Sequence, residues 1–233
     1  DLPSFYNQNG GFLISATINK YIYINLYEPF KNYFFLKYST NEKVKNIQSI
    51  KHPIIQKVLD RYMSNQDKLE IQVAADVPAG TGVGSSGAFT VALIKAIYSF
   101  QNRSIGQNEL AENACQIEIE DLKRNVGKQD QYSSAFGGIN SYKFSKKGVF
   151  VQPLKISKPI LEKLEDNLCL FFTKFSRSAD LILKKQNTQT KKKNKEIIKN
   201  LMFNKELGIK SKKLLESGRL NDFAEILNEQ WRC

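Results

Sequence analysis

At 233 residues the chain has room for one large domain or two small ones and can bury a substantial core. With 41% hydrophobic and 25% charged residues it reads as a soluble globular protein. There is neither an apolar run of roughly 18 residues to span a membrane nor a charged-then-apolar leader with a cleavage site. The net charge of +12 raises nucleic acid as a partner, but most of the excess sits around Lys184–Lys199 and from Lys205 to Lys213. There Ile197, Ile198, Leu201 and Met202 interrupt the lysines as on a solvated helix, so nucleic acid is not the expected partner. Cys115, Cys169 and Cys233 are odd in number and far apart, which fits neither a disulfide framework nor a metal knuckle. A lone His52 argues against structural zinc, and a reducing cytoplasm is the simplest setting. Asp1 in place of Met, and an amphipathic segment still running at Cys233, read as a piece of a longer chain.

Residues 1–11 read as a polar, turn-prone stretch ending at Asn9-Gly10-Gly11. Phe12 to Tyr27 is β-rich and suggests two strands broken near Asn19-Lys20, and Tyr33–Tyr38 suggests another. Pro53 to Met63 carries the helical stripe Ile54, Ile55, Val58, Leu59 and Tyr62. A strand over Leu69–Ala75, a glycine-rich loop and a helix over Ala88–Phe100 follow. Ser104 is a possible cap for the next helix, which ends at Asn125-Val126-Gly127. Lys128–Tyr132 is a short helical turn, Ser141–Phe144 and Val149–Pro153 are strands, and a helical turn follows Pro159. The apolar run Leu168–Phe172 reads as a strand, and Arg177 to the end as almost wholly helical. Strands and helices mix without strict alternation, so the expected class is α+β. A domain boundary falls between residues 155 and 180.

The chemistry gathers on Asp76-Val77-Pro78-Ala79-Gly80-Thr81-Gly82-Val83-Gly84-Ser85-Ser86-Gly87-Ala88. Glycines at alternate positions let backbone N–H groups turn toward a ligand without Cβ clashes. The helix behind them adds unpaired N–H groups and the positive end of its dipole, which together make an anion site. An ordinary strand–loop–helix connection would use glycines too, but three alternate glycines with two serines at a helix start favour phosphate. The loop is neither a Walker A motif nor a dinucleotide fingerprint. Downstream lie Glu118 and, 12 residues later, Asp130. A Mg²⁺ on nucleotide phosphates wants a carboxylate and often a hydroxyl, and a second carboxylate can serve the attacking oxygen. Taken alone, Glu118, Glu120 and Asp121 read more readily as an exposed acidic turn.

The pattern Pro-x-Gly-x-Gly-x-Gly-Ser-Ser resembles the phosphate-binding motif of the GHMP small-molecule kinases. The resemblance implies a two-domain α+β fold, with an N-terminal ATP-binding domain over 1–160 and the start of a ferredoxin-like C-terminal domain over 161–233. It implies ATP and Mg²⁺ as cofactors and a sugar phosphate as substrate. Pro78, Gly80, Thr81, Gly82, Val83, Gly84, Ser85, Ser86 and Gly87 would hold the ATP phosphates. Ser86 and Glu118 would hold Mg²⁺, and Asp130 would be catalytic, as base or as an orienting group. Asp1-Leu2-Pro3 with Asn9-Gly10-Gly11, and Gly127-x-Gln129-Asp130-Gln131-Tyr132 with Phe136-Gly137-Gly138, are similar to the branch acting on D-glycero-D-manno-heptose 7-phosphate. That likeness implies that Asp1, Gly10, Gly11, Asp130 and Arg177 face the substrate. Arg177 suits a substrate phosphate through its bidentate fork, and equally a surface salt bridge. A fucose or galactose kinase is the alternative within the family, and a basic nucleic-acid-binding α+β module the alternative outside it. The family's opening basic strand and triple glycine, and its C-terminal glycine-rich loop, do not occur here.

Overall fold

The computed structural model describes residues 1–171, 183, 187–190 and 194–232. In chain order its elements are α1 (Pro3–Asn9), β1 (Gly11–Ala16), β2 (Ile22–Tyr27), β3 (Phe34–Lys37), β4 (Asn41–Val44), α2 (Pro53–Tyr62) and β5 (Glu70–Ala75). After these come α3 (Ser85–Phe100), α4 (Gln107–Cys115), a π-helical stretch over Gln116–Asp121, α5 (Gln129–Phe136), β6 (Ile139–Ser145) and β7 (Gly148–Pro153). Helices α6 (Lys158–Asp166), α7 (Lys195–Glu216) and α8 (Leu220–Trp231) complete the set. The class is α+β, as expected, in two compact units. One is Ile18–Phe136, and the other is Asp1–Thr17 with the described residues from Gly137 onward.

The Ile18–Phe136 unit holds a mixed sheet in the order β2-β5-β3-β4, in which β5 pairs antiparallel with β2 and parallel with β3. Alternation sends Phe34 and Leu36 of β3 and Ile71 of β5 inward. Helix α2 begins at Pro53, which has no N–H to leave unpaired, and the His52 Nδ1 accepts the Ile55 amide at 3.3 Å. Its Ile54, Ile55, Val58 and Leu59 fill the same core. Helix α3 is apolar nearly all round, burying Phe89, Val91, Leu93, Ile94 and Ile97, and it packs against β2, α2, α4 and α5. That central helix opens directly behind the glycine loop, so the loop is anchored on the best-buried element of its unit.

In the other unit β1, β6 and β7 form an antiparallel sheet in the order β1-β6-β7. The first residues form a helix rather than a turn-prone coil, because Pro3 sits at a favoured first-turn position and Phe5 and Tyr6 find a buried face. Gly10 ends α1 with φ 64°, and a Cβ on Gly11 would lie 3.0 Å from the Tyr6 Cβ and 3.1 Å from the Phe144 Cβ. Helix α7 packs on β1, where Gly208 lets the Phe12 ring approach. It exposes Lys195, Lys199, Lys210 and Lys213, whereas the Lys205 Nζ donates to the Asn9 carbonyl at 2.7 Å.

Two further expectations change. The cap of α4 is Gly106, not Ser104. The run Leu168–Phe171 is no strand: it has no ladder partner among the described residues, and Phe171 is 81% exposed. Phe172, the last residue expected in that strand, lies outside the described residues.

Candidate functional site

The loop leaves β5 at Asp76, whose Oδ2 accepts the Tyr21 amide at 2.9 Å and so ties the loop's start to the lead of β2. Gly80, Gly82 and Gly84 have φ of 78°, 83° and 74°, a region that a side chain would strain. Gly84 is the residue before α3, and no side chain caps the amides that open that helix. The helix itself begins at Ser85, three residues ahead of the expected Ala88, so Ser85, Ser86 and Gly87 form its first turn. Those amides, with the helix dipole behind them, face the place where the glycines clear a path. The Thr81 hydroxyl donates to the Pro78 carbonyl at 3.0 Å, closing the loop on itself.

Asp130, near the start of α5, is pressed into this loop. A Cβ on Gly84 would stand 3.0 Å from its Cγ, and one on Gly87 2.7 Å from its Cβ and 3.0 Å from the Gln131 amide nitrogen. The glycines therefore do two jobs, shaping the loop and letting a carboxylate approach it. Gly87→Ala tests the second. Helix propensity would return about 1 kcal/mol. Overpacking against backbone-anchored atoms at 2.7 Å would cost about 1–3 kcal/mol, toward the upper end, and shift Asp130. The expected result is a lower midpoint in urea together with lost turnover. An unchanged midpoint would mean that this close packing is wrong.

Glu118 is inward and 1% exposed, unlike Glu120, which is exposed, and Asp121, which pairs with Arg61 at 2.8 Å. The acidic turn is thus divided, with one carboxylate committed to the interior. Its Oε2 accepts from the Ser86 hydroxyl at 2.5 Å and from the Arg124 Nη1 at 2.9 Å. Its Oε1 accepts from the Thr90 hydroxyl at 3.1 Å and the Gln131 amide at 2.9 Å. The Arg124 Nη1 also donates to the Ser86 Oγ at 2.6 Å. A buried carboxylate survives when paired and fully hydrogen-bonded, and Glu118 is both.

Asp130 differs. It is exposed, no described residue donates a hydrogen bond to it, and the crevice strips part of its hydration while Glu118 repels its charge. Both push its carboxyl above the usual range, the loss of water first, though its exposure limits the effect. A carboxylate raised in this way accepts a proton more readily, as a base acting on an alcohol must.

The fit of Mg²⁺ to Ser86 and Glu118 can be tested on these distances. In an octahedron with ligands at about 2.0–2.1 Å, neighbouring oxygens stand about 2.9 Å apart. Here the two oxygens are hydrogen-bonded at 2.5 Å, and the Arg124 Nη1 already donates to both of them. The donors are right in kind, but as arranged they do not admit a metal. No cluster of metal-ligating side chains occurs elsewhere among the described residues.

The structure thus brings together the glycine loop, Ser86, Glu118 and Asp130 in one unit. Asp1, Gly10 and Gly11 belong to the other unit, where the two glycines turn α1 into β1. Arg177 lies outside the described residues. Sequence reasoning missed Thr90, Gln131 and Arg124. Thr90 could have been found, since position 90 is one helical turn beyond Ser86 and shares its face. Lys128, whose Nζ holds Glu112 at 2.7 Å, fixes the start of α5 and was also missed.

Residues 44–138 match the GHMP kinases N terminal domain. The chain is 30% identical over 246 aligned residues to the D-glycero-alpha-D-manno-heptose 7-phosphate kinase of Campylobacter jejuni, covering 100% of this chain and 71% of that protein. It is 26% identical over 167 residues to the bifunctional fucokinase/GDP-fucose pyrophosphorylase of Arabidopsis thaliana, covering 70% of this chain and 16% of the relative. Among solved structures it superposes on a D-glycero-D-manno-heptose 1-phosphate kinase from Bacteriodes thetaiotaomicron with a TM-score of 0.82 and 27% identity, covering 100% and 73% of the two chains.

Proposed function

This chain belongs to the GHMP kinases, as a sugar kinase acting on an alcohol group, and from that premise we propose that it phosphorylates the anomeric hydroxyl of D-glycero-D-manno-heptose 7-phosphate with ATP. The observation that carries the reaction class is Asp130 packed against Gly84 and Gly87, which supports reading the carboxylate as a proton acceptor and the loop as a phosphate cradle. The likeness over the whole chain to the Campylobacter jejuni protein supports the heptose substrate. A fucose or galactose kinase is the alternative within the family, and the Arabidopsis thaliana relative supports it over a shorter span.

In this reading the run Gly80 to Gly87, led by Pro78, cradles the ATP phosphates, with backbone amides of the loop and of the first turn of α3 as donors. Phosphoryl transfer asks mainly for positioning and charge neutralisation, and fixed amides supply both without reorganising during the reaction. The bond from the acceptor oxygen to the γ-phosphorus forms as the bond from that phosphorus to the β,γ-bridging oxygen breaks. The hydroxyl proton passes to the Asp130 carboxylate, and ADP leaves with the bridging oxygen. Asp1, Gly10 and Gly11 would meet the sugar, and Arg177 its existing phosphate. The product is a sugar bisphosphate that a later step would convert to a nucleotide-activated heptose for surface glycans.

The test is ADP release by the full-length protein, with heptose 7-phosphate, heptose 1-phosphate, fucose and galactose as acceptors. Heptose 7-phosphate should give the highest kcat/KM, with phosphate appearing on the anomeric oxygen. Faster turnover of fucose or galactose would replace the substrate while keeping the class. No turnover with any sugar, beside salt-sensitive RNA binding, would favour the nucleic-acid reading.

A further inference from the structure

The Arg124 guanidinium stands where the likeness to the family would put a divalent ion. Its Nη1 lies 2.6 Å from the Ser86 Oγ and 2.9 Å from the Glu118 Oε2, so one nitrogen bridges the oxygens of both candidate metal ligands. An arginine fork carries five N–H donors. Among the described residues nothing accepts from Nε or Nη2, and the side chain is 31% exposed. Donors therefore remain open to solvent beside the uncapped amides at the start of α3.

The backbone is bent to deliver this side chain. Helix α4 runs into a π-helical stretch over Gln116–Asp121, in which the Leu122 amide bonds to the Ile117 carbonyl at 3.0 Å. Such widened turns often mark functional positions. Lys123 then takes φ 53°, a left-handed conformation that costs a non-glycine residue about 1–2 kcal/mol. The Arg124 amide turns back to the Glu118 carbonyl at 3.1 Å. Strain held next to a polar cluster points to a use for the geometry it fixes.

We propose that Arg124 is a resident cation of the phosphate site: it occupies the metal position between Ser86 and Glu118 and offers its remaining donors to the oxygens of a bound nucleotide. The inference rests on the phosphoryl-transfer reading. It extends that reading by making nucleotide affinity largely independent of a divalent metal. A guanidinium carries its charge at every working pH and binds phosphate through two parallel bonds, so it can neutralise phosphate oxygens that a metal would otherwise bridge.

The experiment is calorimetric binding of a non-hydrolysable ATP analogue to this chain in EDTA and in Mg²⁺, for the wild type, Arg124→Gln and Arg124→Lys. Wild type should bind in EDTA with an affinity close to that in Mg²⁺. Arg124→Gln should lose at least about tenfold in EDTA, as expected for removing charge-assisted bonds, and recover most of it in Mg²⁺. Arg124→Lys, a point charge without the fork, should fall between them and serves if the Gln variant fails to fold. Equal EDTA affinities in all three would overturn the role of Arg124 and leave the kinase reading intact. Tighter Mg²⁺-dependent binding by Arg124→Gln would overturn it too, by showing that Arg124 blocks a metal rather than replacing it. No nucleotide binding by any of them, with or without metal, would sink both.

Discussion

Asp130→Asn should lower kcat by about 10²–10⁴-fold, the usual worth of a positioned acid or base, while nucleotide affinity stays where it was. Asn keeps the shape that fits against Gly84 and Gly87 and loses only the ability to take up a proton. The comparison with Asp130→Ala then separates two roles. The Asn carbonyl can still accept the substrate hydroxyl's hydrogen bond, whereas Ala cannot. If both variants fall equally, the carboxylate receives the proton. If Asn retains far more activity than Ala, the residue only orients the hydroxyl. Turnover surviving in both would remove Asp130 from the mechanism.

The same residue predicts a pH signature. Partial loss of hydration, and then the charge of Glu118, raise the Asp130 carboxyl in the folded chain, so the wild-type rate should fall with acidification at a pH above the ordinary carboxylate range. The stability effect has the opposite sense to the common one. Where the folded state binds more protons than the unfolded, stability decreases as pH rises. The contribution of Asp130 is therefore intact below its unfolded pKa and is lost as pH climbs through the raised folded value. Asp130→Asn should be more stable than the wild type at neutral pH, and that advantage should vanish toward pH 4. A variant that is less active yet more stable marks a charge kept for function.

How far the sequence disclosed this site follows from which signals are local. Strands β1, β2, β3 and β5 were legible because β-rich runs stand between polar breaks, and α2 and α3 because apolar residues recur at helical spacing. Strand β4 was not, since Asn-Glu-Lys-Val is held by its register with β3 rather than by its own pattern. Leu168–Phe171 failed in the other direction: a continuous apolar run looks like a buried strand, but nothing in the run says whether a neighbour exists to cover it. At the site, the glycine loop was readable from residue type and spacing, whereas Glu118 was singled out only by the resemblance to the GHMP kinases, since spacing alone favoured an exposed acidic turn. Arg124 was not readable, because it reaches Glu118 through a π-helical stretch and a left-handed Lys123, and no helical or strand period connects positions 118 and 124. Irregular backbone carries function and hides it from periodicity.

Glu118→Ala should destabilise the chain by about 3 kcal/mol, near the lower end of what breaking a buried ion pair costs. The magnitude depends on which partners can recover. Arg124 is partly exposed and can turn to water. Thr90 keeps a second acceptor, the Ser86 carbonyl at 3.0 Å. Gln131 has no such recourse: it is 2% exposed, its Oε1 already lacks a partner, and its Nε2 loses the carboxylate. Glu118→Gln should cost less, because its amide oxygen still accepts from Gln131, but it sets an NH₂ group against Ser86 or Arg124 and loses the charge pairing. Urea midpoints should therefore rank wild type above Gln above Ala. Adding Arg124→Ala to Glu118→Ala should cost little more, since the first change has already removed what the arginine pairs with. If the two losses simply add, the carboxylate and guanidinium are not coupled, and the cluster around Ser86 is held by its uncharged hydrogen bonds instead.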